Sequence, residues 1–298
     1  MKERAVGHRV RPFDVVLGTV VDALTRVSVP LERLNGRLAE LLLRPVYAFY
    51  LGRLRAEVLG LPRPGHVAVI MDGNRRWAAD RGFVDVGIGH RRGAEKALEL
   101  VDWCAEIGIR EVTLWALSLE NLERTTDEVE TIADVATESL TALVEGRRRT
   151  TVPIRLRVIG RRDPLPDRLR DAVEASSTIS EDGAPLDVTV AIAYSGRDEL
   201  VEAAQAAVRG LVAAGVPADR IADGLTAEAL ASHLYTRGSS DPDLIIRTSG
   251  EVRLSGFLPW QSVYSEYYFC EAYWPAFREI DFLRAIRTFQ QRGRRFGH

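Results

Sequence analysis

Lysine is almost absent from this chain: Lys2 and Lys96 are the only two among 40 basic residues. Neither sits in a G-x-x-x-x-G-K-[ST] loop, which excludes a Walker-type nucleoside triphosphatase. A Schiff-base enzyme would have to use one of them, and neither lies beside a convincing cluster of polar groups. Cysteine is as scarce, because Cys104 and Cys270 are too few for a disulfide framework or a thiolate zinc site. Both stand in apolar surroundings, as buried thiols in a reducing compartment do. The histidines His8, His66, His90, His233 and His298 show no metal-ligand spacing. A formal net charge of −2 over 298 residues gives no global case for nucleic acid, so any anion site must be local. Long apolar runs are missing as well. No secretory pattern opens the chain, and Phe13–Val29 is broken by Asp14, Asp22 and Arg26, so it does not span a bilayer. A cytoplasmic protein is expected, either free or peripheral at the inner face of the cell membrane. What the chain has instead is arginine, a planar and permanently charged fork suited to carboxylate or phosphate.

Two parts follow one another. Before Pro62, Leu31, Leu34, Leu38, Leu41 and Leu42 recur at helical spacing, Pro45 interrupts, and Val46–Val58 resumes with Tyr47, Tyr50 and Leu54. Arg33, Arg37, Arg44, Arg53 and Arg55 flank that surface. Residues 1–62 are therefore expected to be a helical extension. It either packs on its own domain or lays an amphipathic face on a membrane or partner. Leu61-Pro62-Arg63-Pro64-Gly65 punctuates the chain, and residues 63–298 form the second part. Apolar runs at Val67–Met71, Val112–Leu117, Ile154–Ile159, Val188–Ala193 and Leu244–Ile246 predict strands. Helical patterns lie over Gly93–Ile107, Glu128–Arg147, Asp167–Ser177, Asp198–Ala214, Glu228–Leu234 and finally Phe282–Gln290. This alternation predicts a single α/β domain with a central, mostly parallel β-sheet flanked by helices.

Three of the strands empty into polar clusters. After Val67–Met71 come Asp72, Gly73, Asn74, Arg75, Arg76 and Trp77. One carboxylate suits a hard divalent cation, and the glycine, amide and arginines suit a phosphate; Asp-Gly is equally an ordinary turn signal. After Val112–Leu117 come Ser118, Leu119, Glu120, Asn121, Leu122, Glu123 and Arg124, where Ser118 and Asn121 also read as helix starters. After Leu244–Ile246 come Arg247, Thr248, Ser249, Gly250, Glu251, Val252, Arg253, Leu254 and Ser255, a plausible anion cradle or a surface loop with incidental arginines. Glu266 follows in aromatic company, able to pair with Asp72 on a metal or to satisfy an arginine. Ligands of open α/β sheets bind beyond the carboxyl ends of the strands, so three such ends suggest one shared pocket.

Asp72-Gly73-Asn74-Arg75-Arg76-Trp77, Ser118-x-Glu120-Asn121 and Arg247-Thr248-x-Gly250-Glu251-x-Arg253-x-Ser255, with Trp260-Gln261 and Glu266, resemble the motifs of the cis-prenyltransferases. This is the family of undecaprenyl and other Z-polyprenyl diphosphate synthases. The resemblance runs from about Arg63 to the C-terminus. It implies one α/β domain, a homodimer, Mg²⁺, and condensation of isopentenyl diphosphate with an allylic diphosphate such as geranyl or farnesyl diphosphate. It also implies roles: Asp72 would organise Mg²⁺ and the allylic diphosphate, with Gly73, Asn74, Arg75 and Arg76 along that diphosphate and Trp77 beside it. His90 would lie near the diphosphates. Ser118, Leu119, Glu120, Asn121 and Arg124 would form the substrate-contact segment, with Asn121 as proton acceptor. Arg247, Arg253, Leu254 and Ser255 would hold isopentenyl diphosphate, and Glu266 would be a second metal position, reached across the dimer. Arg295-Phe296-Gly297 resembles the family's C-terminal Arg-x-Gly.

Features that bear on product length point in opposite directions. Leu122 stands where the family often has tryptophan, and the arginine-free loop Phe83–Ile88 is one residue longer than in long-chain enzymes. Both resemble the actinobacterial short-chain Z-farnesyl diphosphate synthases. Ala116, however, is small where a bulky residue would floor the product tunnel, and Val129, Ile132, Ala133, Ala136, Leu140 and Leu143 form an apolar stripe suited to its wall. A short-chain product, Z,E-farnesyl diphosphate, is the expectation. A medium- or long-chain synthase, an enzyme joining two allylic units, and a non-catalytic partner subunit are the alternatives.

Overall fold

In the computed structural model, residues 36–123, 126–145, 150–176 and 183–293 are described. The chain divides into two compact units, Met1–Leu61 and Pro62–His298. The first contributes helix α1 (Gly36–Leu59), which continues through Pro45 rather than breaking there. A proline removes one i→i−4 bond, and a helix of this length survives that loss. Among the described residues no helix is long and apolar enough to cross a membrane.

The second unit is built on β1 (His66–Ile70), β2 (Glu111–Ser118), β3 (Ile154–Ile159), β4 (Leu186–Tyr194), β5 (Leu244–Arg247) and β6 (Glu266–Phe269). They form one sheet in the order β3-β4-β2-β1-β5-β6, and every neighbouring pair is parallel. All residues of β1 and β5 are buried, as central strands covered on both faces require. The edges look different. β3 alternates buried and half-buried residues, and β6 buries none of its residues fully. The β6 segment, Glu-Tyr-Tyr-Phe, is four residues long and half exposed, so neither an apolar run nor an alternation marks it.

Helices α2 (Asn74–Asp80), α3 (Gly87–Ile107), α4 (Thr126–Val144), α5 (Asp167–Ser176), α6 (Gly196–Ala213), α7 (Ile221–Gly224), α8 (Ala227–Ala231) and α9 (Glu279–Arg292) connect and cover the strands. Of α2 only Ala78 is buried, and without an apolar stripe the helix is invisible to periodicity. Helix α3 begins six residues before its apolar pattern does, because its first turns carry glycines that read as breakers. Those glycines serve close approach: a Cβ at Gly89 would sit 2.2 Å from Asn74 O, and one at Gly93 would sit 2.3 Å from Asn74 Oδ1.

The faces of the sheet are filled differently. On one, Trp115 stacks on Phe257 at 5.0 Å and meets Tyr194 edge-on at 6.2 Å, within a core that includes Ala68, Ile70 and Ile245. On the other, Leu114, Val188, Val190 and Ile192 face α3 and α4 across a tunnel. Behind the aromatic stack lies Glu199 of α6, fully buried. Its carboxylate accepts from the Tyr194 hydroxyl (2.6 Å), the Tyr235 N–H (2.9 Å) and the Gln261 amide (3.2 Å). Glu199 thus ties β4 and the chain before β5 to the segment that carries Phe257. Replacing Glu199 by alanine strands those donors and is expected to cost about 2–4 kcal/mol, read as a lowered urea midpoint. Glu199→Gln keeps an acceptor and should cost clearly less; equal losses would refute the network's role.

Candidate active site

Strands β1 and β5 are neighbours, with Ile70 opposite Arg247. From β1 the chain moves to β2 on one side, and from β5 it moves to β6 on the other. A sheet opens a crevice at such a switch point, beyond its carboxyl ends. Arg247 closes β5 there, and Asp72 lies just past β1.

The backbone of Asp72 is pinned first. The Thr248 hydroxyl donates to Asp72 O (2.7 Å), and Trp274 N–H reaches the same oxygen at 3.0 Å. Gly73 then turns the chain into α2 at φ 100°, where a Cβ would sit 2.6 Å from the Tyr273 ring. The turn leaves the Asp72 carboxylate between two guanidiniums: Oδ2 accepts from Arg247 Nη2 at 2.8 Å, and Oδ1 from Arg76 Nη2 at 3.2 Å. Arg76 also donates to Ser249 Oγ (2.8 Å) and Glu251 Oε1 (3.2 Å), and Arg253 Nη1 pairs with Glu251 Oε2. Arg247 Nη1 reaches Ser255 Oγ at 2.9 Å and the Arg253 carbonyl. Ser249 (φ 77°) and Ser255 (φ 51°) hold left-handed conformations that cost non-glycine residues about 1–3 kcal/mol each. The loop after β5 is strained where it meets the cleft.

Burial pushes the Asp72 carboxyl up, but its hydrogen bond and attraction to Arg247, with the charge of Arg76, outweigh that and hold it below the ordinary value. Arg247 is almost entirely buried, and its Nε has no acceptor. Four arginines (75, 76, 247 and 253) against three carboxylates (Asp72, Glu120 and Glu251) line a cleft of about 620 Å³. The excess positive charge and the orphaned guanidinium N–H both suit an anion.

A second cavity of about 140 Å³ adjoins the cleft, sharing Met71, Asn74, His90, Ala116 and Ile132 with it. It is walled by apolar side chains of α3, α4 and the sheet, among them Leu98, Val135, Ala136 and Leu140. Its lining follows β4 from Ile192 to Val188, about 13 Å at the usual rise per residue. Ala116 stands at the mouth. Trp115 pairs with Ala191 and Leu117 with Ile192, so Ala116 is the extra residue of a β-bulge, a device that re-aims side chains beside active sites.

Most of the expected site residues meet here. Asp72, Gly73, Asn74, Arg75, Arg76 and His90 line the cleft, as do Ser118, Glu120, Asn121, Arg247, Arg253 and Ser255. Ser118 and Asn121 also cap each other: Asn121 Oδ1 accepts from Ser118 N–H, and Ser118 Oγ from Asn121 N–H, both at 3.2 Å. The two residues thus start the turn after β2 and line the cleft at once. Trp77 does not line the cleft; it stacks on Phe83 at 5.9 Å with the Arg81 guanidinium over its ring at 4.4 Å. Leu119 and Leu254 line neither cavity, and nor does Leu122. Glu266 is not brought to Asp72 within the chain. It opens β6 opposite Leu244, at the end of the sheet away from Arg247, and pairs with Arg292 at 3.0 Å. Among the described residues no cluster of three or more metal-ligating side chains exists. Arg124 and Arg295-Phe296-Gly297 lie outside the described residues. Of the predicted stripe on α4, Ile132, Ala136, Leu140 and Leu143 line the tunnel, while Val129 and Ala133 do not. In the sequence Thr248, Ser249 and Glu251 carry no role beyond membership of the anion cradle, and Trp274 carries none. Small polar residues directly after a strand-end arginine are the one signal that marks the first three.

Residues 70–297 match the family model described as "Putative undecaprenyl diphosphate synthase". The chain belongs to this family of isoprenyl transferases. It is 46% identical over 261 residues to the (2Z,6E)-farnesyl diphosphate synthase of Mycolicibacterium smegmatis, covering 85% of this chain and 96% of that one. It is 44% identical over 260 residues to isoprenyl transferase 1 of Corynebacterium diphtheriae, covering 87% and 97%. Among solved structures, lavandulyl diphosphate synthase from Lavandula x intermedia, in complex with dimethylallyl diphosphate, superposes with a TM-score of 0.70. That relative is 33% identical, with 78% of this chain and 96% of the other covered. The isoprenyl transferase fold is thus the six-stranded parallel sheet described above.

The depressed Asp72 carboxyl has a consequence for stability. A group whose pKa is lower folded than unfolded stabilises the fold above its ordinary value, here 3.8, and that contribution fades as pH falls through the depressed value. In metal-free protein, the melting-temperature gap between wild type and Asp72→Asn is expected to be constant from neutral pH to about 5 and to narrow towards pH 3. A gap that widens on acidification would contradict the clamp.

Proposed function

We propose that this isoprenyl transferase condenses isopentenyl diphosphate with an allylic diphosphate, geranyl or farnesyl, to give a short-chain Z-configured prenyl diphosphate. The observation that carries this reading is the join between the arginine-lined cleft and the apolar tunnel at Met71, Asn74, His90, Ala116 and Ile132. Such a join suits a molecule that is diphosphate at one end and hydrocarbon at the other. The name of the Mycolicibacterium relative and a lining that follows β4 for only about 13 Å favour a short product. Small Ala116 at the tunnel mouth favours a longer one.

In the reaction the allylic C–O bond breaks and its electron pair leaves with diphosphate. The double bond of isopentenyl diphosphate supplies the electrons for the new C–C bond, and loss of a proton sets the Z double bond. Arg76, Arg247 and Arg253 are placed to bind the two diphosphates and to stabilise the charge that develops on the leaving one. Ser255 orients Arg247, and Asn121, fixed by Ser118, holds its amide at the cleft wall. Asn74 stands at the join, where the diphosphate would give way to the tail. Mg²⁺ fits the donors present: it takes one or two carboxylates with substrate phosphates and water, and Asp72 supplies such a carboxylate. Bound there, it would neutralise diphosphate charge.

Incubating the protein with labelled isopentenyl diphosphate, Mg²⁺ and each primer should yield products one or two isoprene units longer than the primer. Asp72→Ala should lower kcat by on the order of 10³-fold. Unchanged incorporation in that variant would remove the catalytic assignment of Asp72, and no incorporation by wild type would leave a partner subunit as the reading. Product formed from dimethylallyl diphosphate alone would instead indicate the coupling of two allylic units.

A homodimer and a peripheral membrane contact complete the proposal. The β6 edge, with Val263 (67% exposed), Tyr264 (80% exposed) and the Glu266–Arg292 pair beside it, offers a surface for a second copy. Light scattering should give twice the 33.1 kDa chain mass; a monomer at micromolar concentration would rule the dimer out. The amphipathic spacing in residues 31–58 supports membrane contact, which predicts that removing them lowers liposome association.

A further inference from the structure

A second group of arginines lies away from the cleft. At the C-terminal end of β3, Arg157, Arg162 and Arg237 surround a cavity of about 460 Å³, with Tyr235 and Gly160 completing its wall. It shares no lining residue with the cleft or the tunnel. The nearby arginines of the same chain segment are all neutralised: Arg161 by Asp163, Arg168 by Asp134 and Arg170 by Asp167. Among the described residues, Arg157, Arg162 and Arg237 pair with no carboxylate. Arg157 Nη1 donates to the Arg237 carbonyl (3.0 Å) and Ser239 Oγ (3.2 Å), and Arg162 Nη2 donates to the Val158 carbonyl (2.7 Å). All of these acceptors are neutral.

Arg162 is the sharpest case. Its Nη1 is buried and has no acceptor at all. Burial lowers the guanidinium's pKa, while Glu174 and Tyr235 raise it by their charge. An arginine stays charged regardless, so a half-dry guanidinium with a spare donor is costly unless an anion shares the space. Two carboxylates stand near without meeting that need. Glu202 is taken by the Tyr235 hydroxyl and Arg161, and Glu174 acts on Arg162 through its charge alone. Orphaned buried donors in native folds mark strain, an ordered water or an ion. Three uncompensated guanidiniums around one cavity select the ion.

The geometry points to a second anion site here, for a phosphate-type dianion held by Arg157, Arg162 and Arg237. Planar forks match phosphate oxygens in pairs, and a cavity of this volume takes orthophosphate or diphosphate with its remaining water. Free phosphate, free diphosphate and the headgroup of an anionic phospholipid share this chemistry. The site does not depend on the prenyl-transfer reading, since none of its residues touches the cleft.

Calorimetric titration of the whole protein with inorganic diphosphate separates the possibilities. Wild type should show a saturable site for bare diphosphate besides any binding in the cleft. Arg162→Gln should weaken that site by at least about tenfold, since a charge-assisted contact is being removed, and should leave prenyl transfer unchanged. Arg237→Gln, at an exposed residue, gives the same readout should the Arg162 variant fold poorly. Vesicles of phosphatidic acid in phosphatidylcholine form the parallel arm. Weakened diphosphate binding in either variant supports a free anion, and weakened vesicle binding alone assigns the site to a lipid headgroup. Diphosphate binding that both variants leave unchanged, together with unaltered vesicle binding in both, would overturn the proposal.

Discussion

The Asp72 carboxylate accepts from Arg247 at 2.8 Å and from Arg76 at 3.2 Å, joining groups 175 and 4 residues away along the chain. Much of the cleft follows from that clamp. Arg247 is 5% exposed, and a guanidinium so buried costs several kcal/mol unless it is paired. Asp72 therefore makes it possible for β5 to end in a charge inside the fold. Arg247 in turn reaches Ser255 and the Arg253 carbonyl, which fixes the strained loop that brings Arg253 to the cleft. Arg76, on the first turn of α2, is held by the same carboxylate and by Ser249. Four segments of chain are positioned by one ion-pair network, and the network sits where the sheet's topology opens a crevice.

The rest of the sheet divides its labour by face. Trp115 and Ala116 are adjacent in β2, yet Trp115 belongs to the aromatic core with Phe257 and Tyr194 while Ala116 opens on the tunnel. The bulge at Ala116 lets a packed strand present a small side chain at the mouth without disturbing the stack behind it. Glu199 supports that stack from the far side through Tyr194 and Gln261. Rigid support behind a cleft matters for catalysis that relies on preorganised charge, because dipoles that must reorganise lose their advantage.

Strands β1, β2, β4 and β5 were legible as short apolar runs and β3 as apolar residues interleaved with arginines, and the pocket was legible because three strands end in polar clusters. Burial on both faces produces the first signal and strand-end ligand binding the second. The failures are physical as well. Helix α2 carries its cleft-lining residues on its first turn and buries only Ala78, so it has no stripe to read. Gly89 and Gly93 looked like breakers because a helix that must approach Asn74 closely discards the side chains that mark helices. Within one chain, register places Glu266 at the opposite end of β6, beside Arg292, so the metal position expected of it would have to be reached across a dimer. Trp77 follows the arginines in sequence, and the turn of the helix carries it away to Phe83. Adjacency along the chain is a poor guide once a helix begins.

In a chain whose cations are nearly all arginine, charge alone cannot tell a binding residue from a structural one; the partners can. In the cleft, Glu251 spans Arg76 and Arg253, and Asp72 spans Arg76 and Arg247. These carboxylates keep the forks aimed and spaced before any ligand arrives, while the arginines remain in excess. An incoming diphosphate then meets donors already oriented, so little ordering entropy is left to lose on binding. The same carboxylates weaken the site for a lone anion, because the ligand must share each fork with an acid already there. On the proposed function, a divalent cation accompanying the diphosphate would relieve that penalty by drawing on Asp72. The pairing would then favour a metal-bound diphosphate over a bare anion, a filter that the unpaired arginines near β3 lack.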